Sequence, residues 1–192
     1  MEYINKLSIK IDHKELLQDV EHILNLTPLW PNQQISLTSV TGNDDWECSI
    51  GKIADLQHKE SDFTVVNNSI KDRYIGELIQ SLAPNYCRWR IMNKARRTCY
   101  SVHHDGTEHL LRLHIPVITN DQNFLMFYTD KPVASDTGTD ISIKHYNLEP
   151  GNAYLMRTNY LHSAVNFSNE DRIHIVATVS YTHLTLPTIL LV

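Results

Sequence analysis

Apolar and polar positions along this chain follow two different periods, and the change comes near residue 85. YINKLSIKI (3–11) alternates as a strand does. Asp12 stands where an N-cap is expected, with Glu15 three residues on. Leu16, Leu17, Val20, Ile23 and Leu24 then form a single apolar stripe, which predicts a helix ending at Thr27-Pro28. ISLTSV (35–40) and FTVVNN (63–68) read as strands, with the loop TGNDDWE after the first. DRYIGELIQSL (72–82) reads as a second helix, stopped before Pro84.

From Tyr86 onward the period is two almost throughout. CRWRIM, TCYSVHH, LLRLHIPVIT, NFLMFY, ISIKHYNL, AYLMR, HSAVNF and RIHIVAT are eight short strands separated by turns, the pattern of a sandwich or barrel. The fold class expected is mainly β with N-terminal helices (α+β), a double-stranded β-helix or jelly roll with two helices packed outside. No repeat, low-complexity tract or linker breaks it. The expectation is one domain over 1–178, with 1–85 as an α/β support region and 86–178 as the jelly-roll core.

The end of the chain reads differently. VSYTHLTLPT (179–188) resembles the in-frame translation of a sequencing adapter, through ten residues in register. The alternative is a native apolar strand and tail. On the adapter reading, 179–192 is a non-native tail.

Composition narrows the function classes. Seventeen Lys and Arg against 22 Asp and Glu give a net charge of −5, which favours neither a nucleic-acid nor a membrane surface. The basic run RWRIMNKARR (88–97) is interrupted by apolar residues and reads as strand and turn. Three cysteines, Cys48, Cys87 and Cys99, form no CxxC pair, and MEYINKLSIKID lacks a basic-then-apolar signal pattern. A soluble cytoplasmic protein is expected. Trp30, Trp46 and Trp89 read as core or rim aromatics.

The chemistry lies in SVHHDGTEHLLRLHIP (101–116), where imidazole and charge stand among apolar strand positions. In a strand, His103 and Asp105 project to one face and His104 to the other. An imidazole beside a carboxylate makes two parts of the 2-His-1-carboxylate triad of non-haem Fe(II) centres. With 11 histidines in the chain, one His-x-Asp carries little weight alone. The chain also holds His13-Lys14-Glu15 and His58-Lys59-Glu60, both read as solvated surface. A second histidine must come from a distant strand, and His162 opens HSAVNF. Ten residues later Arg172 can enter the same barrel mouth and hold a carboxylate bidentately. Arg112 and His114 share one face of LLRLHIPV, opposite Leu111, Leu113 and Ile115. Polar residues in that register line a cavity more readily than they fill a core. His174 shares the Arg172 face; His109 and His145 read as non-ligands.

Taken in order, HHDG…RLHIPVITN…LEPGNAYLMR…HSAVN…RIHIV resembles the aspartyl/asparaginyl/proline hydroxylase family of Fe(II)- and 2-oxoglutarate-dependent dioxygenases, over roughly residues 86–178. The resemblance implies that His103, Asp105 and His162 bind the metal. It places Arg112 and Arg172 on the distal carboxylate of 2-oxoglutarate and His114 on the metal-proximal one. Some members use two histidines without the carboxylate, so coordination by Asp105 stays open. The implied activity is O2-dependent hydroxylation of an amino-acid side chain, either peptidyl Asp or Asn or a free amino acid such as proline, with release of succinate and CO2. The partner is then an amino-acid, peptide or protein substrate, with selectivity expected in loops 41–52 and 129–140.

Three rivals stand beside this reading. His104-Asp105 could be the doublet of a helical metal-dependent phosphohydrolase, against which the β-rich flanks argue. A non-catalytic jelly roll could bind a small molecule or glycan. The metal could also be structural zinc, although closed zinc sites are normally cysteine-rich.

RIHIVAT alone supplies enough residues for a closing strand. Deleting 181–192 is therefore expected to leave the melting temperature unchanged within error, as measured by thermal denaturation; unfolding on deletion contradicts the adapter reading.

Overall fold

A computed structural model describes residues 2–27, 33–53, 57–83, 85–105, 111–128, 133–135, 138–140 and 142–179. Trp30, His109 and the tail from 180 onward lie outside the described residues. The first strand, β1 (Ile4–Leu7), is followed by helix α1 (His13–Leu26). Asp12 caps α1 as expected, its carboxylate accepting from the backbone N–H groups of Lys14 and Glu15. Leu16, Val20 and Ile23, at helical spacing, are fully buried.

The segment expected as one strand over 35–40 is two short pieces, β2 (Gln34–Ser36) and β3 (Thr38–Ser39). Leu37 between them donates its N–H to the Trp89 carbonyl at 2.8 Å. A 3-10 turn over Glu60–Asp62, β4 (Val65–Val66) and helix α2 (Tyr74–Leu82) complete the N-terminal part. α2 starts against Asp19 of α1. The Asp19 carboxylate accepts from the Ile75 N–H at 2.8 Å and from Arg73 Nε at 2.7 Å, so one helix caps the next. A Cβ at Gly76 would lie 2.2 Å from the Ile70 carbonyl oxygen, an approach that only glycine permits.

The rest is β: β5 (Tyr86–Lys94), β6 (Thr98–Cys99), β7 (Leu111–Ile118), β8 (Asn123–Tyr128), β9 (Val133–Ser135), β10 (Gly138–Asp140), β11 (Ile143–Tyr146), β12 (Ala153–Arg157), β13 (His162–Asn166) and β14 (Arg172–Val179). A six-stranded antiparallel sheet has the order β1-β12-β7-β14-β5-β2, and a four-stranded one β11-β8-β13-β6. Together they form the jelly roll predicted from the hydrophobic pattern. The β9–β10 hairpin, inside the loop expected over 129–140, was not read from the sequence. β14 also runs one residue past the predicted strand end, pairing a buried Val179 with Tyr86.

The large sheet has two unlike faces. Trp89 and Ile91 of β5, Leu113, Ile115 and Val117 of β7, and Ile173, Ile175 and Ala177 of β14 pack on α1 and α2 in the main core. Arg90, Arg112, His114, Arg172, His174 and Val176, one residue out of step, face the opposite side and line a cavity. A second core of Tyr3, Ile4, Leu125, Phe127, Leu148, Tyr154, Met156 and Ala164 closes the roll between its sheets. Among the described residues, no helix is long and apolar enough to cross a membrane.

Asp19 is the polar hinge between the two helices. Asp19→Ala leaves the Ile75 N–H without its acceptor and removes the Arg73 pair, and is expected to lower stability by about 2–4 kcal/mol in urea denaturation at neutral pH. Arg73 is partly exposed, so the greater share of that loss comes from the cap.

Candidate functional site

His103 and His162 meet through the backbone before they meet through their side chains. Each donates its N–H to the other's carbonyl, at 3.0 and 2.8 Å, in an isolated antiparallel bridge. The strand expected over TCYSVHH is in fact only Thr98–Cys99, and the chain beyond runs irregularly through the bridge at His103. Same-face alternation therefore does not bring His103 and Asp105 together. Asp105 is held by its own N–H, which donates to the Thr158 carbonyl at 2.9 Å. Two backbone anchors, one on β13 and one just beyond β12, set the two side chains side by side.

The donor atoms of His103, Asp105 and His162 lie within 4.8 Å of one another. Nδ1 of His103 is 2.8 Å from the Ser101 carbonyl, and Nδ1 of His162 is 2.7 Å from the Tyr160 carbonyl. A carbonyl only accepts, so in both rings Nδ1 carries a proton and Nε2 is the nitrogen left to face the Asp105 carboxylate side. Burial lowers the His162 pKa, which keeps its ring neutral. Its face is fixed by an aromatic stack: Phe127 lies 5.7 Å away, and Tyr3 stacks on Phe127 at 4.8 Å. Two imidazole lone pairs and a carboxylate on one side suit a non-haem Fe(II) ion with open coordination positions.

The trio opens onto a cavity of about 230 Å³ lined by Arg88, Arg90, Lys94, Arg112 and Arg172, with Asp105 the acidic residue among its described lining. Arg172 is buried, and among the described residues its Nε and Nη1 have no hydrogen-bond partner, nor do Nδ1 of His114 and both ring nitrogens of His174. Burial pulls the His114 pKa down to about 3, helped by Arg172, and burial likewise holds His174 far below the usual imidazole range. Both rings are neutral and can donate without adding charge. Buried N–H groups without acceptors are costly, and this cluster fits an oxygen-rich anion.

Arg112 sits differently. Its Nε donates to Asp105 Oδ2 at 3.2 Å, and its Nη1 donates to Glu60 Oε2 at 2.8 Å and to Thr178 Oγ1. The guanidinium faces protein carboxylates. Glu60, read from the sequence as solvated surface, is instead largely buried, its side chain only 13% exposed. Its carboxylate also accepts from Arg88 and, at 2.7 Å, from the Thr178 hydroxyl. The correction has a physical reason: the turn that carries Glu60 packs on β5, where Arg88 adopts a left-handed φ of 52° next to a register shift between β5 and β14. That bulge turns Arg88 toward the loop, where it also binds the carbonyls of Ser49 and Gly51. His13, the other supposed surface histidine, is half-buried, with Nε2 2.8 Å from the Val117 carbonyl. Glu60, Arg88 and Arg90 are the residues of this site that sequence reasoning missed.

The model of the aspartyl/asparaginyl β-hydroxylase family matches residues 14–181. No curated protein sequence matches the chain. Among solved structures, AviO1 from Streptomyces viridochromogenes Tue57 aligns over 94% of this chain and 91% of its own, at 12% identity and a TM-score of 0.51, a likeness of fold. EctD from S. alaskensis with bound Fe aligns over 92% and 72%, at 13% identity and a TM-score of 0.48. The non-haem α-ketoglutarate-dependent epimerase SnoN from nogalamycin biosynthesis aligns over 49% and 48%, at 15% identity and a TM-score of 0.38. The chain thus spans about half that neighbour's length.

Glu60 also makes the site readable by acid. Burial alone would raise its pKa, but the Arg112 hydrogen bond and the Arg112 and Arg88 charges outweigh it and hold the carboxyl down at about 2, against an ordinary 4.5. A depressed pKa contributes stability that is fully present above pH 4.5 and is lost as pH falls toward 2. Denaturation of wild type and Glu60→Gln is expected to differ by about 3 kcal/mol above pH 5, and the gap should close between pH 4.5 and 2. A gap independent of pH contradicts the pairing.

Proposed function

Since the chain belongs to the aspartyl/asparaginyl β-hydroxylase family, we propose that it is an Fe(II)- and 2-oxoglutarate-dependent hydroxylase acting on an acidic amino-acid side chain. The observation that carries this is the pairing of a two-histidine, one-carboxylate donor set with unsatisfied buried N–H groups in one cavity. In this reading His103, Asp105 and His162 hold the metal. Arg172 would take the distal carboxylate of 2-oxoglutarate through Nε and Nη1, and neutral His114 and His174 would offer it further N–H donors. When bound, the metal and 2-oxoglutarate would supply, with O2, the chemistry that hydroxylates an unactivated C–H bond with release of succinate and CO2.

The protein's own residues bind, orient and exclude. His162 is clamped by Phe127 and Tyr160, so its lone pair is pre-aimed. Leu125, Met156, Ala164 and Val176 give the cavity apolar walls that limit water beside the reacting carbon. Arg112, which the family resemblance assigns to the co-substrate, is proposed here to hold Asp105, because its donors are already engaged by protein oxygens.

Arg90 supports the acidic substrate. It is 5% exposed, and among the described residues its Nε has no partner and its Nη1 meets the neutral Gln34 amide oxygen at 2.9 Å. Its charge neighbours include Arg88, Arg112, Glu60 and Asp105, and Tyr100 lies near both Arg90 and Arg172. Arg172 pairs in register with Lys94 and Arg90 with Val176, four residues further along β14, so the two fit a co-substrate on one and a substrate carboxylate on the other. A groove of about 750 Å³ continues outward past His103 and Tyr100 to Lys52 and Ser101, room for the residues flanking a peptidyl aspartate.

The test is succinate formation with Fe(II), ascorbate and O2, comparing Asp-containing peptides with free amino acids; no stimulation by any acidic substrate contradicts the proposal. His162→Ala is expected to abolish turnover while the protein stays folded by circular dichroism. Arg172→Lys keeps the charge but loses the planar fork, and is expected to weaken 2-oxoglutarate by roughly 1.5–3 kcal/mol with little change in substrate KM. Arg90→Gln is expected to do the reverse, raising the KM of the acidic substrate and sparing that of 2-oxoglutarate.

A further inference from the structure

Arg112 and Asp105 meet at one edge of the trio, and a metal ion there would compete with the Arg112 guanidinium for the Asp105 carboxylate. Arg112 already holds Oδ2 at 3.2 Å, while Oδ1 lies 3.7 Å from His103 Nε2. Bidentate capture of a carboxylate by arginine is a strong geometry. If Arg112 were free to rotate its fork onto Asp105, both oxygens would be withdrawn from the metal side.

Glu60 prevents this. Its two oxygens accept from Arg112 Nη1 and Nη2, at 2.8 and 3.3 Å, and from Arg88 Nη1. Thr178 Oγ1 accepts from Arg112 and donates to Glu60 Oε2 at 2.7 Å, locking the pair from β14. Only the Arg112 Nε is left for Asp105. Two arginines are thus neutralised chiefly by one carboxylate that lies outside the donor trio, and the second carboxylate keeps an oxygen facing the histidines.

From this arrangement we infer that Glu60 is a positioning residue of the metal centre: by satisfying Arg88 and Arg112 it keeps Asp105 available as a ligand. The inference rests on the proposed assignment of His103, Asp105 and His162 as the metal-binding trio. It places a determinant of metal affinity in the loop before β4, far from the trio in sequence, and it requires Glu60 to act through Asp105 rather than through the fold at large.

The experiment titrates purified full-length chain with Co(II), following the visible absorption of the bound ion, and records thermal midpoints in parallel. Glu60→Gln is expected to weaken Co(II) binding by about 10–100-fold, the range for lost support of a metal ligand. In an Asp105→Ala background, Glu60→Gln should leave Co(II) affinity unchanged while still lowering the thermal midpoint. Should Glu60→Gln fail to fold, Thr178→Val removes the bridging hydroxyl without changing charge and is read in the same two backgrounds. A lowered midpoint with unchanged Co(II) affinity overturns the inference. Equal weakening with and without the Asp105 carboxylate overturns it too, because Glu60 would then act on the fold alone. Failure of wild type to bind Co(II), or His162→Ala binding as tightly as wild type, instead brings down the underlying metal assignment.

Discussion

A barrel that encloses Arg88, Arg90, Lys94, Arg112 and Arg172 must supply counter-charge from its own walls or hold room for charge that arrives. A guanidinium does not shed its proton inside a protein, so burial cannot be relieved by neutralisation. The protein meets the requirement in three ways. Arg88 and Arg112 are paired internally with Glu60 and Asp105. Lys94 lies 3.6 Å from the centre of the Tyr100 ring, a cation–π contact in place of an anion. Arg90 and Arg172 have no carboxylate partner among the described residues, and they are the positions at which an incoming anion changes the energy most.

That division of charge depends on the sheet having two faces of opposite character. Ile173, Ile175 and Ala177 bind β14 to the helical layer, and their alternates carry the cavity. Apolar burial on one face, worth about 1.5–3 kcal/mol for each large aliphatic side chain, supports polar strain on the other. A one-residue slip of β14 would exchange the two sets. The bulge opposite Ala177 lies beyond the cavity residues Arg172, His174 and Val176, so it redirects Arg88 without disturbing their alternation.

The layered part of this arrangement is legible in the sequence because it is periodic. RIHIV and LLRLHIPV announce both their core faces and their cavity faces, and a distant histidine at the start of HSAVNF completes the trio. Glu60 is not legible in that way. It sits in a single 3-10 turn without periodicity, between the exposed Lys59 and the half-buried Asp62, and its partners come from strands 28 to 118 residues away. Arg112 shows a related limit: alternation tells that it points into a cavity, but not that a protein carboxylate is already waiting there. His103 and Asp105 were paired by strand alternation, although the backbone that joins them is a bridge and an irregular turn. The spacing led to the right neighbours because separate hydrogen bonds to His162 and Thr158 impose the same convergence.

The bridge between His103 and His162 also decides when, during the life of a chain, the three donor groups first come together. Its two halves are separated by the whole of β7 to β12, and His162 lies on β13 beside β8 in the four-stranded sheet, while β14 completes the six-stranded sheet between β7 and β5. β1, made first, waits for β12 to become its neighbour. Contacts of such long sequence separation form late, so a chain still emerging from the ribosome offers scattered histidines but no preformed nest of three donors. On the proposed metal assignment, selection among competing divalent ions would thereby fall to the finished fold, where cavity shape and neighbouring charge, rather than the bare affinity of imidazole, set the outcome.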